Sequence, residues 1–483
     1  MNSATLLPPE YAAVLPELVL TAAATMILVV DLWLSPAGRK SLGYLSFLGV
    51  ILALLAVLTA VGRDGQYWGD MIAVDAFALF FKTVFLIVAA LVSLTSIGYV
   101  TRHGVPAAEF YALLLSATVG MLLMGSSRDL LVIYLGLELT SISSYVLAGL
   151  LRHDPRSNEA AIKYFLNGAL ASGVLLFGLS LLYGLTATTH LDVIAQNLQV
   201  GRVSLPVLLA AMIFVIGGFG FKIAAVPFHF WAPDAYEGAP TPVTAFFSVG
   251  PKGGVFAAIL RTFLLGLPAL APRWAGIFAV LALITMTVGN LTALWQTNIK
   301  RMMAYSSIAH AGYLLVGIAA GSLLGTQAVL FYLLAYAFMN LGAFAVITAL
   351  DTEGPGAEIK DYIGLSQRSP WLAWTLTLFF ISMIGIPPTA GFLGKLLLFS
   401  AALQGGYLWL ALAIAVNSAI SVGYYYGVVR NMFLVAPADR TPVGSSLALH
   451  AALVVGVAGT LLIGLWAGPF LDWTYLGASL PRF

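Results

Sequence analysis

The sequence predicts an all-α polytopic membrane protein, one bundle of about fourteen transmembrane helices. Three observations carry that reading. Hydrophobic residues make up 60 % of the 483 positions and charged residues 9 %, where a soluble domain carries about 25 % charge. The mean hydropathy is +0.97. Apolar runs of about 17–25 residues, the length that crosses a bilayer, recur along the whole chain, and no connection between them is much longer than about 20 residues.

The runs fall approximately at 12–34, 42–61, 75–99, 109–127, 129–150, 160–185, 205–231, 241–262, 274–297, 302–320, 326–350, 371–403, 408–430 and 447–468. The first has no Lys or Arg before it and is longer than the apolar core of a secretory signal, so it is read as a retained helix. The spans group as three N-terminal helices (1–108), a five-helix unit (109–262), a second five-helix unit (263–434) and a C-terminal helix (435–483).

Basic residues orient the bundle. One set of alternate loops carries eleven of them: Arg39, Lys40, Arg102, Arg152, Arg156, Lys300, Arg301, Lys360, Arg368, Arg430 and Arg440. The opposite set carries five: Arg63, Arg128, Arg202, Arg273 and Arg482. The first set is therefore expected in the cytoplasm, with both termini outside. This signature suits a bacterial inner membrane and equally a thylakoid.

Composition also excludes. A net charge of +2 gives no footprint for nucleic acid. The chain has no cysteine, so it holds no cysteine-ligated iron–sulfur cluster and no disulfide. It lacks GxGxxG and GxxxxGK[ST] phosphate loops. No cofactor or metal site is expected, and redox or nucleotide chemistry must lie on other polypeptides.

What remains is a set of charges inside the spans: Lys82, Lys163, Lys222, Lys252 and Lys395, together with Glu138 and His310. Each lysine costs roughly 2.5–3.5 kcal/mol at a helix centre, and intramembrane ionisable residues usually line ion or proton pathways. Buried Lys and Glu are also residue types whose protonation neighbours can tip. Lys82 and Lys163 lie near helix starts and Arg261 near a helix end, where snorkelling is expected. His229 reads as an interfacial structural residue.

Two spans carry helix-breaking residues beside a lysine. The seventh has Gly217, Gly218 and Gly220 before Lys222 and Pro227 after it, and the twelfth has Pro387, Pro388 and Gly391 before Lys395. They are five helices apart, an odd number that reverses direction through the membrane. Interrupted helices at matching positions of inverted repeats point to a transport site. Lys222 and Lys395 are 173 residues apart, and Glu138 and His310 are 172 apart, which suggests two inverted five-helix repeats in register.

Several stretches resemble the antiporter-like membrane subunits of respiratory complex I, the proton-pumping NADH:quinone oxidoreductase, and its subunit N branch in particular. They are "LPELVLTAAATMILVVDLW" (15–33), "LGLELTSISSYVLAG" (135–149), "EAAIKYFLNGALASGVLLFG" (159–178), "FKIAAVPFHFWAPDAYEGAPTPVTAFFSVGPKGG" (221–254), "NIKRMMAYSSIAHAGY" (298–313) and "FFISMIGIPPTAGFLGKLLLF" (379–399). The resemblance implies that Glu138 and Lys222 form a coupled pair, Lys252 a central relay and Lys395 a releasing lysine. It implies a bridging role for His310 and an uptake-side role for Lys163, and assigns none to Lys82. It also implies that FMN, iron–sulfur clusters and quinone are held by partner subunits. The direct partners would be the lipid bilayer and other membrane-arm subunits, which connect to the peripheral redox arm. The runner-up is a subunit of a multisubunit cation/proton antiporter. A third reading is a structural spacer of the membrane arm.

Overall fold

A computed structural model describes residues 8–200, 204–354, 356–438 and 440–479; Arg202 and Arg482 lie outside them. Twelve of the described helices are long and apolar enough to cross a membrane. Leu15–Asp31 and the broken pair Pro370–Ile384 and Ala390–Gln404 complete the predicted fourteen crossings.

In chain order, span 1 is Leu15–Asp31, span 2 Lys40–Leu58, span 3 Ala76–Arg102, span 4 Ala107–Ser126 and span 5 Leu130–Ala148. Span 6 is Pro155–Thr186, and span 7 is Leu205–Lys222 with Trp231–Gly238. Span 8, Thr241–Leu260, continues into a π-helical turn, Arg261–Gly266. Spans 9, 10 and 11 are Ala271–Ala293, Ile299–Ala319 and Leu323–Glu353. Span 12 is the broken pair, and spans 13 and 14 are Leu408–Leu434 and Leu447–Leu465. Spans 8 and 11 are buried along their whole apolar length and span 10 nearly so. These three form the centre of the bundle, and they carry Lys252, His310, Tyr313 and Tyr332.

The inverted repeat has a local signature at two helix starts. Asp129 caps span 5 by accepting from the Leu131 and Val132 amides, and Asn298 caps span 10 by accepting from Lys300 and Arg301. Each cap residue also forms an antiparallel bridge with the segment after the next span, Asp129 with His190 and Asn298 with Glu358. The flanking hydrogen bonds match: Leu130 N to Thr189 O at 2.9 Å and Leu191 N to Arg128 O at 2.9 Å, against Ile299 N to Ala357 O and Ile359 N to Thr297 O, both 2.8 Å. The offset here is 168–169 residues, and the two copies lie at opposite ends of the bundle.

Four expectations are corrected. Gly217, Gly218 and Gly220 do not break span 7, because the helix runs unbroken through Lys222. Gly218 serves packing instead: a Cβ there would lie 2.9 Å from the Leu175 backbone of span 6. The interruption follows the lysine, at residues 223–230, and contains Pro227. In span 12 the interruption is 385–389, holding Pro387 and Pro388, and Gly391 already belongs to the second half-helix. Lys222 thus precedes its break and Lys395 follows its own, so the 173-residue spacing pairs positions on opposite sides of the two breaks.

Arg261 does not snorkel either. It is fully buried, with two 2.9 Å bonds to the Asp75 carboxylate and two more to the Gly125 carbonyl. Its guanidinium lies 4.6 Å from the Phe77 ring centroid. Capping of span 3 by Asp75 brings a carboxylate to the outer end of span 8, and the pair locks the N-terminal helices to the first repeat. Burial alone would push the Asp75 carboxyl up; the charge and hydrogen bonds of Arg261, with the Ala78 amide, overcome that and hold it below its ordinary range.

Candidate functional site

Span 5 places Glu138, Ser141 and Tyr145 on one face at helical spacing, and Lys222 at the end of the first half of span 7 reaches across to it. The Lys222 ammonium donates to Ser141 Oγ at 2.8 Å, Ser172 Oγ at 2.9 Å and Tyr145 Oη at 3.0 Å. Ser172, from span 6, donates in turn to Glu138 Oε1 at 2.5 Å, while the direct Lys222–Glu138 separation is 3.7 Å. One hydroxyl therefore stands between acid and base. Lys222 is buried, whereas the Glu138 side chain is 21 % exposed, so the carboxylate is the end of the cluster open to a neighbour.

The break in span 7 is satisfied without the lysine. The Phe221 carbonyl accepts from the Trp231 indole and from the Ala224 amide, both at 3.0 Å, and Val226 N donates to Thr285 Oγ1 at 3.0 Å. Irregular backbone at membrane depth requires such partners.

Lys252, in the fully buried span 8, donates to Ser307 Oγ at 2.6 Å and lies 5.6 Å from the Tyr236 ring centroid. Tyr236 Oη and Ser307 Oγ are 3.3 Å apart. The adjacent Ser306 shares a 2.5 Å hydrogen bond with Tyr425 Oη, which lies 3.4 Å from His310 Nε2. The other ring nitrogen of His310 meets Tyr332 Oη at 2.7 Å. His310 also sits edge-on to Tyr313, with centroids 5.7 Å apart, and the Lys395 ammonium lies 4.6 Å from the Tyr313 centroid. Lys395 donates to Ser418 Oγ at 3.0 Å and to the Ile384 carbonyl at 2.9 Å. That carbonyl is left over where the first half of span 12 ends.

Lys252, His310 and Lys395 thus share one run of hydroxyls and rings. The Glu138–Lys222 cluster is separate: among the described residues no hydrogen bond joins it to Lys252. Between them Tyr164 stands edge-on to Tyr145 at 4.7 Å, stacks on Trp231 at 4.2 Å and meets Phe247 at 5.4 Å.

Lys163 joins neither group. Its side chain is 43 % exposed and pairs at 2.7 Å with both Glu159 and Asp234, and Arg301 ties Asp234 to Glu237 at the same rim. Lys82, to which the sequence assigned no role, pairs at 2.7 Å with Glu17 and donates to the Ala13 carbonyl at 3.0 Å. Sequence reasoning missed Glu17 and the hydroxyl shell of Ser141, Tyr145, Ser172, Ser307 and Tyr425. The i+3 and i+7 spacing of Ser141 and Tyr145 from Glu138 was an available signal. Among the described residues, no group of three or more His, Cys, Asp or Glu is arranged to hold a metal ion.

The chain resembles known proteins over nearly its whole length. Residues 127–421 match the family described as NADH:quinone oxidoreductase/Mrp antiporter, TM. NADH-quinone oxidoreductase subunit N 2 of Symbiobacterium thermophilum is 52 % identical over 500 residues, covering 98 % of both chains. A chain of respiratory complex I from Thermus thermophilus, solved with bound aureothin, superposes with a TM-score of 0.79 at 34 % identity, over 95 % of this chain and 98 % of that one. A chain of the Mrp complex from Dietzia sp. DQ12-45-1b shares the fold, with a TM-score of 0.86 at 23 % identity over 98 % and 97 % of the two chains. The chain belongs to the NADH:quinone oxidoreductase/Mrp antiporter transmembrane family, in its subunit N branch.

Proposed function

We propose that this chain forms one proton-translocating channel in the membrane arm of NADH:quinone oxidoreductase, coupling electron transfer to quinone with proton movement, and carries no redox centre itself. The observation that carries the reading is the sequence of ionisable groups across both repeats, partly exposed at Glu138 and buried from Lys222 through Lys252, His310 and Lys395.

In this reading Glu138 and Lys222 start the transfer. At 3.7 Å and an effective dielectric near 20, a carboxylate–ammonium pair attracts by about 4 kcal/mol. Driving one charge against about 150 mV takes roughly 3.5 kcal/mol. Loss of the Glu138 charge, or its displacement toward a neighbouring subunit, thus removes enough stabilisation from the Lys222 ammonium for its proton to move on. Water crossing the aromatic gap at Tyr164 would then connect Lys222 to Lys252. Ser307, Ser306, Tyr425 and His310 carry the proton across the repeat boundary, and Lys395 releases it. Lys163, with Asp234 and Arg301, collects protons at the opposite rim.

FMN, iron–sulfur clusters and quinone belong to partner subunits of the peripheral arm and its junction with the membrane arm. The direct partners are membrane-arm subunits and lipid. The membrane is the bacterial inner membrane, with both termini outside by the eleven-to-five distribution of basic residues; a thylakoid fits the same distribution. The domain division at 108, 262 and 434 accompanies this reading.

The shared Mrp fold keeps the cation/proton antiporter as a second reading. Proteoliposomes of the assembled wild-type complex separate the two. The expected result is proton uptake driven by NADH oxidation with quinone and independent of sodium. Sodium/proton exchange without any electron donor would establish the antiporter instead.

A further inference from the structure

A pocket of about 360 Å³ opens at the end of the bundle that carries most of the basic loops, between spans 2, 3, 11 and 14. We propose that it holds the phosphate headgroup of an anionic phospholipid in that leaflet. Lys40, the first residue of span 2, and Arg102, the last of span 3, line it together with Thr95, Tyr99, Ser445 and Ser446. Among the described residues neither cation takes part in an ion pair. Arg39, beside Lys40, does, at 2.8 Å from Asp31. Asp351, the residue before the lining Thr352, is engaged by the Thr241 hydroxyl. The pocket therefore offers two positive charges outside any ion pair, with the Ser446 hydroxyl beside them, the chemistry that recognises a phosphate.

The surface below it selects a lipid over a free anion. Along span 2, Lys40 is followed at four-residue steps by Tyr44, Leu48 and Leu52, which are 54, 52 and 49 % exposed. Residues spaced by four share one helix face, each about 6 Å deeper than the last. The stripe thus reads as headgroup cation, interfacial aromatic and acyl-chain contact in order of depth. On the far side of the pocket, Leu447 of span 14 is 87 % exposed, and Leu449 lines the pocket itself. An inorganic phosphate would satisfy the cations and leave this stripe unused.

The test uses the assembled complex, delipidated and then offered phosphatidylglycerol or phosphatidylcholine in detergent micelles, with retained lipid counted by native mass spectrometry. Phosphatidylglycerol should be retained and phosphatidylcholine not. The Lys40→Gln/Arg102→Gln double variant should lower the affinity for phosphatidylglycerol about thirtyfold, from the two basic contacts. Lys40→Arg/Arg102→Lys should restore it, which separates charge from folding. Equal retention by the wild type and the double glutamine variant would overturn the proposal. So would displacement by inorganic phosphate at the lipid's own concentration, or crosslinking of a photoreactive residue at position 40 to a partner subunit instead of lipid.

Discussion

The two lysines beside broken helices are held in opposite ways. Lys222 ends an intact helix, takes three side-chain hydroxyls and has a carboxylate 3.7 Å away, while its own break is closed by Trp231, Ala224 and Thr285. Lys395 stands in the half-helix after its break and bonds a carbonyl, Ile384, that the break leaves free. No carboxylate lies within 4 Å of it among the described residues; a serine and the Tyr313 ring complete its shell. Lys222 thus sits against a neighbouring charge, and Lys395 against the free carbonyl of its break. The repeats share a frame and differ in what they attach to it.

The largest expected effect separates a glycine packed against the span 12 break from one that only lies in the span 7 helix. A Cβ on Gly391 would fall 1.8 Å from the Ser382 carbonyl oxygen, whereas one on Gly217 meets nothing nearer than 3.9 Å. Gly391→Ala should therefore destroy the span 12 junction and cut the amount of assembled subunit several-fold. Gly217→Ala should leave assembly unchanged or slightly improved, since alanine is favoured by about 1 kcal/mol over glycine inside a helix. Immunoblots of the membrane-extracted complex read both, and equal tolerance at the two glycines would erase the distinction.

A lock outside both lysine sites gives the next largest effect. Asp75→Asn removes the buried partner of Arg261 and should cost about 3–5 kcal/mol at neutral pH. Because the Asp75 carboxyl is held below its ordinary range in the folded protein, its stabilisation is complete above the unfolded value, about pH 4. It is lost as pH falls through the lower folded value. The wild-type advantage in thermal stability should accordingly shrink below about pH 4. Complex that does assemble should keep its proton-to-electron ratio; a changed ratio would make the pair part of the relay.

The smallest effect should come from Ser418→Ala. It removes one 3.0 Å bond from Lys395 and leaves the Ile384 carbonyl in place, worth about 1–2 kcal/mol for a bond to a charged donor. The expected slowing of NADH-driven proton uptake in proteoliposomes is about fivefold to thirtyfold. No slowing at all would mean that the carbonyl alone defines the site.

All fourteen crossings were legible in the sequence because each is a long apolar run whose signal is local. The lysines stood out because an uncompensated charge inside such a run is costly wherever its partner lies. The partners were not legible in the same way. Glu17 meets Lys82, and Asp75 meets Arg261 across 186 residues; composition says nothing of which distant spans touch. The span 7 break was misplaced because three glycines look like an interruption, yet inside a bundle Gly218 is used for close approach to span 6. The repeat offset was misjudged for a related reason. Equal spacing of lysines suggested register, whereas the true markers are the capped helix starts and their bridges, visible only once spans 5 and 10 meet the segments that follow spans 6 and 11.

If one proton route requires Lys222, Lys252 and Lys395 together, the ratio of protons pumped per electron pair falls when any one of them is lost. It should be measured on assembled complex carrying Lys222→Ala, Lys252→Ala or Lys395→Ala, in proteoliposomes, with NADH oxidation followed in parallel. All three variants should show a lower ratio, by the share of one channel, with no difference among them. An unchanged ratio in all three, with assembly intact, would contradict it and leave the chain a structural spacer.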